Sequence, residues 1–318
     1  MNLNIKILNQ KEIKNMKISK KFTSIFLAGL LSASVAFSTP AVFATGDPDN
    51  PVDFKWDIDI NKASISPIPA QTYTGSSIKP DVTIKYKGTI LKQNTDYTLT
   101  YSNNTKIGKA SITIKGIKNY KGSKTIQFKI SPQEVKNLKA TPTTTSVNLS
   151  WSKTSGISNY AVYRATSQNG KYTRVKTLSS SASSYKDTKA SKEKVYYYKV
   201  RAYKTVNKTK YYGAYSDVVC SAKTPSKPVI TVKNAGSKTV KVSWKKVSGA
   251  NGYEVYRKSG SSAKYSIVQT VTSGNTLSYT NKKLIKNSKY YYKVRAYRIV
   301  NGEKIYSSFS TVKQIKCK

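Results

Sequence analysis

Short segments in which apolar and polar residues alternate recur from residue 61 onward. Alternation with period two places successive side chains on opposite faces of a β-strand, and one apolar face per strand is typical of an antiparallel sheet. No window shows the 3.6-residue period of an amphipathic helix. The first four such segments are separated by Gly and Asn turn residues, and they span residues 82–86, 97–101, 110–114 and 125–130.

Residues 132–318 contain an internal duplication. The stretch YYYKVRAY stands at 196–203 and again at 290–297. Matching positions lie 93 residues apart before this stretch, as for Trp151 and Trp244, and 94 apart within it. The change of offset places one inserted residue near 272–276, which we interpret as a surface loop. The duplication predicts two domains of the same fold.

The repeated stretch divides by alternation into two faces. Tyr196, Tyr198, Val200 and Ala202 share one face, which we expect to be core, as we expect for Val147, Leu149 and Trp151 on an earlier strand. Tyr197, Lys199, Arg201 and Tyr203 share the opposite face, which is free to meet a partner.

A Trp on an early strand, the late Tyr-x-Tyr-x-Val-x-Ala strand, Ser216 and the run Gly252–Arg257 resemble bacterial fibronectin type III domains. The resemblance covers both copies from about residue 132 to 318. It implies two seven-stranded sandwiches. It further implies that Tyr196 and Tyr290 are corner tyrosines, whose hydroxyl groups bond to nearby backbone.

The preceding region resembles a bacterial immunoglobulin-like repeat of clostridial-type surface proteins. The residues that carry this resemblance are Thr72–Gly75, Lys79-Pro80, Asp96-Tyr97, Tyr101–Asn104, Gly108, Asn119–Gly122 and Phe128. The expected fold is therefore all-β, with three tandem β-sandwich domains after a cleaved signal peptide. The expected domains are an immunoglobulin-like domain over 61–131 and fibronectin type III domains over 132–224 and 225–318.

Residues 17–44 have the features of a secretory signal: Lys residues at its start, an apolar core over 22–37 and a small-x-small cleavage motif at its end. We predict cleavage after Ala44, so that the signal peptide over 1–44 is removed. Met16-Lys17 is a more ordinary start for such a signal than Met1, and the two start sites remain open. The apolar run is short for a membrane anchor and Pro40 follows it. Residues 45–60 are acidic and predict a linker.

The chain is strongly basic, with a formal net charge of +42. From residue 60 onward, 49 Lys and Arg stand against 8 Asp and Glu. Codon bias in an AT-rich genome accounts for abundant Lys better than for scarce acid. Binding to a polyanion is the other interpretation, and the two remain open.

The composition and motifs of the chain argue against most kinds of metal, cofactor and catalytic site. The chain has no His and only two cysteines, Cys220 and Cys317, which are not equivalent in the duplication. We therefore predict no disulfide, no metal site and no cofactor. Phosphate-binding glycine loops, nucleophile elbows and acidic calcium loops are absent from the sequence. We expect no enzymatic activity.

The candidate site is the outward face of the repeated strand, where basic and aromatic residues alternate. It could bind a polyanion or glycan, attract polyelectrolytes in general, or only stabilise the sheet through cross-strand pairs. The candidate residues are Tyr163, Tyr197, Lys199, Arg201 and Tyr203 in the first copy, and Tyr256, Tyr291, Lys293, Arg295 and Tyr297 in the second.

We expect a secreted, extracellular, monomeric protein that serves at the cell envelope in binding, adhesion or spacing. No sorting motif or apolar C-terminal anchor is visible, so charge is the expected means of retention on anionic wall polymers such as teichoic acid. One alternative is a carbohydrate-binding accessory of secreted glycosidases, with neutral polysaccharide as its partner. Another is binding to extracellular DNA or matrix.

Overall fold

The computed structural model describes residues 57–261 and 263–318. These residues form three β-sandwiches in succession, and the helical content among them is one 3-10 turn at Ile60–Lys62. The expected all-β fold of tandem sandwiches is confirmed. Several predictions lie outside the described residues, namely the signal peptide, the start at Met16, cleavage after Ala44 and the linker over 45–56.

The first sandwich consists of a four-stranded and a three-stranded sheet, with a short two-stranded pair beside them. Its strands are β1 (Ile58–Asp59), β2 (Ser64–Ile65), β3 (Gln71–Thr72), β4 (Ile84–Tyr86), β5 (Thr89–Ile90), β6 (Tyr97–Ser102), β7 (Gly108–Gly116), β8 (Tyr120–Lys121) and β9 (Ser123–Ser131). The larger sheet has the order β3-β9-β7-β6 and the smaller one β2-β4-β5, while β1 pairs with β8. Ile84 of the small sheet and Ile112 and Ile130 of the large sheet lie in one buried cluster.

The first strand begins earlier than the sequence indicates. Ile58 and Asp59 pair in parallel with Tyr120 and Lys121, and Ile60 is buried in the core. The structure therefore places β1 within the last residues of the predicted acidic linker. Two-residue strands carry too little alternation to be read from a sequence.

The second sandwich packs a three-stranded sheet, in the order β10-β11-β14, against a larger sheet in the order β13-β12-β15-β16, with β17 pairing to the start of β15. Its strands are β10 (Lys139–Pro142), β11 (Val147–Ser150), β12 (Asn159–Ala165), β13 (Thr173–Ser179), β14 (Ser184–Asp187), β15 (Tyr196–Val206), β16 (Thr209–Tyr212) and β17 (Val219–Ser221).

The third sandwich repeats this topology, with sheets β18-β19-β22 and β21-β20-β23-β24, and β25 paired to β23. Its strands are β18 (Ile230–Asn234), β19 (Val240–Trp244), β20 (Gly252–Ser259), β21 (Ser266–Val271), β22 (Ser278–Asn281), β23 (Lys289–Val300), β24 (Glu303–Tyr306) and β25 (Lys313–Lys316). The loop between β21 and β22 contains the predicted insertion.

The inward face of the repeated strand forms the core, as the alternation predicts. Tyr198, Val200 and Ala202 are 0% exposed. The predicted core residues of β11 and the Trp that follows it are also buried, and the Trp151 ring lies 5.5 Å from the Tyr160 ring. The third sandwich repeats this contact between Trp244 and Tyr253 at 5.2 Å.

The corner tyrosines have the geometry that the resemblance implies. The backbone N–H of Ser191 donates to the Tyr196 hydroxyl at 3.2 Å, and that of Ile285 donates to Tyr290 at 2.9 Å. In both copies the hydroxyl of a buried tyrosine therefore accepts a hydrogen bond from a backbone N–H in the turn that precedes its own strand.

The sandwiches contact one another at two junctions. The first and second share one apolar cluster, and the Tyr73 ring packs on Gly156. At the second junction the Arg298 guanidinium donates to the Lys192 carbonyl oxygen. Gly249 lies against the same carbonyl with a φ of +72°, where a Cβ would find no room.

Candidate anion-binding face

The large sheets of the second and third sandwiches place the candidate residues beside one another. Strand β12 pairs with β15 so that Tyr163 lies opposite Lys199 and Ala161 opposite Arg201. Tyr163, Lys199 and Arg201 are each partly exposed on the outer face. The pairing expected for Tyr163 is therefore confirmed.

In the second sandwich the two cations of β15 are stacked between tyrosine rings. The Lys199 Nζ lies 4.2 Å from the centre of the Tyr172 ring and 3.9 Å from that of Tyr215. The Arg201 guanidinium carbon lies 3.9 Å from the Tyr212 ring centre and 4.5 Å from that of Tyr215. A cation over a ring stabilises by about 0.5–2 kcal/mol, depending on its desolvation.

The third sandwich repeats this arrangement. We call the Lys and Arg of the repeated strand, together with the aromatic rings stacked on them, the cation–aromatic ladder. The Lys293 Nζ lies 4.3 Å from the Tyr265 ring centre and 3.9 Å from that of Phe309. The Arg295 guanidinium carbon lies 3.7 Å from the Tyr306 ring centre. In both copies, much of the attraction of these cations is therefore directed at the protein's own rings.

The candidate tyrosines at the end of the strand are not available to a partner. Tyr203 is 5% exposed and Tyr297 is 2% exposed, which corrects their assignment to the free face. The hairpin strands β16 and β24 cover them: the Tyr203 ring packs 5.2 Å from Tyr212, and the Tyr297 ring 6.2 Å from Tyr306. The Tyr297 hydroxyl also donates to the Val271 carbonyl at 3.2 Å.

Tyr197 and Tyr291 lie at the opposite end of the same face and are partly exposed. Tyr197 lies opposite Cys220 on β17, and this neighbouring thiol raises the pKa of the phenol. The Lys258 Nζ lies 5.1 Å from the Tyr291 ring centre. Both residues flank the ladder rather than forming part of it.

The ladder contains rings that sequence reasoning missed. Their common signal is the duplication, because each ring has an aromatic counterpart 93 or 94 residues away in the other copy. They are Tyr172 with Tyr265, Tyr212 with Tyr306, and Tyr215 with Phe309.

A buried carboxylate closes the ladder in the third sandwich. Glu254 is 3% exposed, and its Oε2 lies 2.7 Å from Arg295 Nη2 and 2.9 Å from Arg295 Nε. Its Oε1 accepts from Lys304 Nζ at 3.3 Å and from the Tyr306 hydroxyl at 3.1 Å. Burial acts to raise the pKa of Glu254, but the hydrogen bonds and charge of Arg295, helped by Tyr306 and Lys304, bring it below its usual value.

The second sandwich has Ala161 at the position of Glu254, and no carboxylate contacts its arginine in the described residues. Arg201 Nη2 donates to the Tyr163 hydroxyl at 2.9 Å. Arg201 Nε is buried and has no hydrogen-bond partner. The two ladders therefore differ in charge balance although their rings and cations match.

A cleft of about 870 Å³ lies between the first and second sandwiches. Lys106, Lys109 and Lys204 line it together with Tyr73 and Tyr211, and no Asp or Glu of the described residues is among the lining side chains. The cleft thus combines cationic groups with aromatic surface. The sequence did not reveal it, because its residues come from two domains.

The described residues contain no group of three or more His, Cys, Asp or Glu side chains that could hold a metal ion. Cys220 is half-buried and Cys317 is buried, and neither forms a disulfide within the described chain. In that same part of the chain, no helix has the length and apolar character needed to cross a bilayer.

No protein-family model and no curated protein matches the chain. Solved structures similar to it include a two-domain fibronectin type III segment of chicken tenascin, at 17% identity over 58% of this chain and 98% of that chain, with a TM-score of 0.43. Another is the FN1–FN3 segment of chicken CNTN1, at 20% identity over 66% and 77%, with a TM-score of 0.28. Both of these structures consist of fibronectin type III domains, and they carry no information on a ligand of this chain.

Proposed function

We propose that the protein is a secreted, non-enzymatic binding or spacer protein that attraction to anionic polymers retains at a bacterial cell surface. The observation that carries this proposal is the lysine cleft between the first two sandwiches. Three of its side chains are cationic, two are aromatic, and no carboxylate neutralises them within the described residues. Such a cleft attracts a negatively charged chain and offers rings against which sugar units can pack.

The wider charge distribution supports the same role. The described residues form ion pairs through Asp57, Glu134, Asp187 and Glu254, which together engage five cationic side chains. From residue 60 onward the chain carries 49 cationic residues. Within the part of the chain that the structure describes, most of the positive charge therefore has no acidic partner, and its attraction to a polyanion depends on salt.

The cleft is tested by replacing Lys106, Lys109 and Lys204 together with Gln in the chain from residue 45 onward. We expect this variant to bind purified cell walls about tenfold more weakly at about 50 mM salt, a loss of about 1.4 kcal/mol. Binding of the unaltered chain should fall steeply toward about 500 mM salt, where the Debye length is only a few ångströms and the attraction between separated charges is largely screened. Sedimentation with labelled protein measures both.

The matched control removes the same charge from the third sandwich through Lys245, Lys282 and Lys286, which are exposed. If both triple variants lost wall binding equally, the overall positive charge and not the cleft would be responsible for binding. Binding that ignores salt would overturn retention by charge. Binding to neutral polysaccharide at high salt would instead indicate a carbohydrate-binding accessory, and displacement of the wall by DNA would indicate a nucleic-acid ligand.

A further inference from the structure

The two fibronectin type III-like sandwiches carry the same donor groups around one acidic position, but only the third has the acid. Position 254 is Glu, and the equivalent position 161 is Ala. The surrounding donors match in pairs: Arg201 with Arg295, Lys210 with Lys304, Tyr163 with Tyr256, and Tyr212 with Tyr306.

In the third sandwich these donors all converge on one carboxylate. Glu254 accepts from Arg295, Lys304 and Tyr306, and from the Tyr256 hydroxyl at 3.2 Å. Both contacts from Arg295, through Nε and Nη2, go to the same carboxylate oxygen, Oε2, and are charge-assisted. Lys304 and Tyr306 donate to the other oxygen, Oε1. The site is thus complete without any external group.

In the second sandwich the equivalent guanidinium, that of Arg201, has one N–H group without a partner. Arg201 is held between the Tyr212 and Tyr215 rings, so its orientation is restricted. Its Nε is buried and lacks a hydrogen-bond partner. A buried donor without a hydrogen-bond partner destabilises the folded chain, so an acceptor that binds at this point removes an existing penalty.

We propose that the second sandwich binds the carboxylate of an external ligand at Arg201, in the place that the Glu254 carboxylate occupies in the third sandwich. The ligand's carboxylate accepts from Arg201 Nε, with Lys210 and the Tyr212 hydroxyl as the further donors that the third copy indicates. The third sandwich does not bind such a ligand because Glu254 already fills the position. This site lies on the outer sheet face and does not depend on the lysine cleft.

Entry of the ligand requires a local side-chain movement. Ala161 is 0% exposed, and the Arg201 Nε is covered by its neighbours. Arg201, Tyr212 and Tyr163 are themselves only partly buried, so we expect rotation of one ring to expose the Nε of Arg201 to the ligand.

The test follows the side-chain Nε–H signals of Arg201 and Arg295 by NMR in the chain from residue 45 onward. Sodium acetate is titrated against sodium chloride at constant ionic strength, and inorganic phosphate is titrated in parallel. We expect the Arg201 signal to shift saturably with acetate and the Arg295 signal to remain unchanged. Galacturonate and N-acetylglutamate then distinguish a sugar acid from an acidic side chain as the source of the carboxylate.

Two reciprocal substitutions make the test specific. Ala161→Glu supplies the missing acid, and we expect it to weaken acetate binding at Arg201 by at least about tenfold. Glu254→Ala removes the carboxylate from the third sandwich, and we expect the Arg295 signal to gain a saturable response to acetate. Ala161→Gln, which has the size of Glu without its charge, controls for filling the space. Ser180→Glu, in an exposed turn, controls for the added charge.

Two results would overturn the proposal: an Arg201 signal that does not respond to acetate, or a Glu254→Ala variant whose Arg295 signal does not respond. A response to phosphate of equal strength would overturn the assignment to a carboxylate. If Ala161→Glu fails to fold, the gain of binding in Glu254→Ala still decides the question. The triple lysine variant of the cleft should retain the Arg201 response, so failure of wall binding and failure of this site are separable.

Discussion

Replacing Asp187 with Ala is expected to lower the free energy of unfolding of the second sandwich by about 3–5 kcal/mol. The Asp187 side chain is 1% exposed. Its Oδ2 accepts from Arg164 Nη1 at 2.8 Å and from the Tyr198 hydroxyl at 2.9 Å, and its Oδ1 accepts from the Lys189 backbone N–H at 3.1 Å. The substitution removes all three hydrogen bonds at once.

The largest part of this loss comes from Tyr198. Its ring is 0% exposed, so its hydroxyl cannot turn to water when the carboxylate is removed. Burial raises the pKa of Tyr198 well above its usual range, and the charge of Asp187 adds to the effect, so the hydroxyl stays a donor. Arg164 is less affected, because its side chain is 21% exposed and stacks 4.5 Å from the Tyr196 ring centre.

The third sandwich supplies the matched control. Asn281 stands at the equivalent position, and its side chain accepts from Arg257 at 3.4 Å and donates to the Tyr292 hydroxyl at 3.1 Å. Asp187→Asn should therefore cost only about 1–2 kcal/mol, since it keeps a partner for the tyrosine. Burial raises the pKa of Tyr292 to about 12, so it too remains protonated at neutral pH.

Amide hydrogen exchange measures the effect in the intact chain. Amides of β11 and β12 report on the second sandwich, and amides of β19 and β20 report on the third. Because the first and second sandwiches share an apolar cluster, we expect faster exchange in both, with little change in the third. A loss for Asp187→Ala no larger than that for Asp187→Asn would contradict the prediction, because the Asn side chain would then stabilise Tyr198 no better than an empty site.

Strand alternation and the duplication predict the core and most strands of this chain, because both signals are local. In β15, every second residue from Tyr196 to Ala202 is buried, as a period of two requires. The change of offset from 93 to 94 likewise locates the loop between β21 and β22. Signals of this kind need no knowledge of which strands are neighbours.

The candidate site was less predictable because its contacts come from distant parts of the chain. Alternation assigns Tyr203 to the outer face, but the hairpin strand β16 covers it. The rings that hold Lys199 come from the segment before β13 and the segment before β17. The sequence shows that Ala161 replaces Glu254, yet only the sheet register shows that this position faces Arg201.

Replacing Glu254 with Gln is expected to destabilise the third sandwich by about 2–4 kcal/mol at pH 7. The carboxylate is buried and is the acidic partner of both Arg295 and Lys304. Gln has nearly the same shape, so the substitution removes the charge and leaves little cavity. Arg295 and Lys304 are partly exposed and recover some hydration, which places the cost below that of a fully buried pair.

The effect of this substitution should depend on pH in a defined direction. The pKa of Glu254 is lower in the folded chain than in the unfolded chain, where it is about 4.3. The stabilising contribution is therefore fully present above the unfolded value, and it is lost as the pH falls through the folded value. We expect the difference between the unaltered chain and Glu254→Gln to be large at pH 7 and to shrink steadily below about pH 4.

Urea unfolding followed by residue-resolved NMR at pH 7, 5, 4 and 3 measures this difference. Amides of β20 and β23 report on the third sandwich, and Glu303→Gln provides a control, since Glu303 is exposed and forms no ion pair within the described residues. A difference that stays constant from pH 7 to pH 3 would show that ionisation of Glu254 is not the source of the effect. A difference that closes in acid would establish the buried carboxylate as the group that neutralises the ladder, which is the feature that the second sandwich lacks at Ala161.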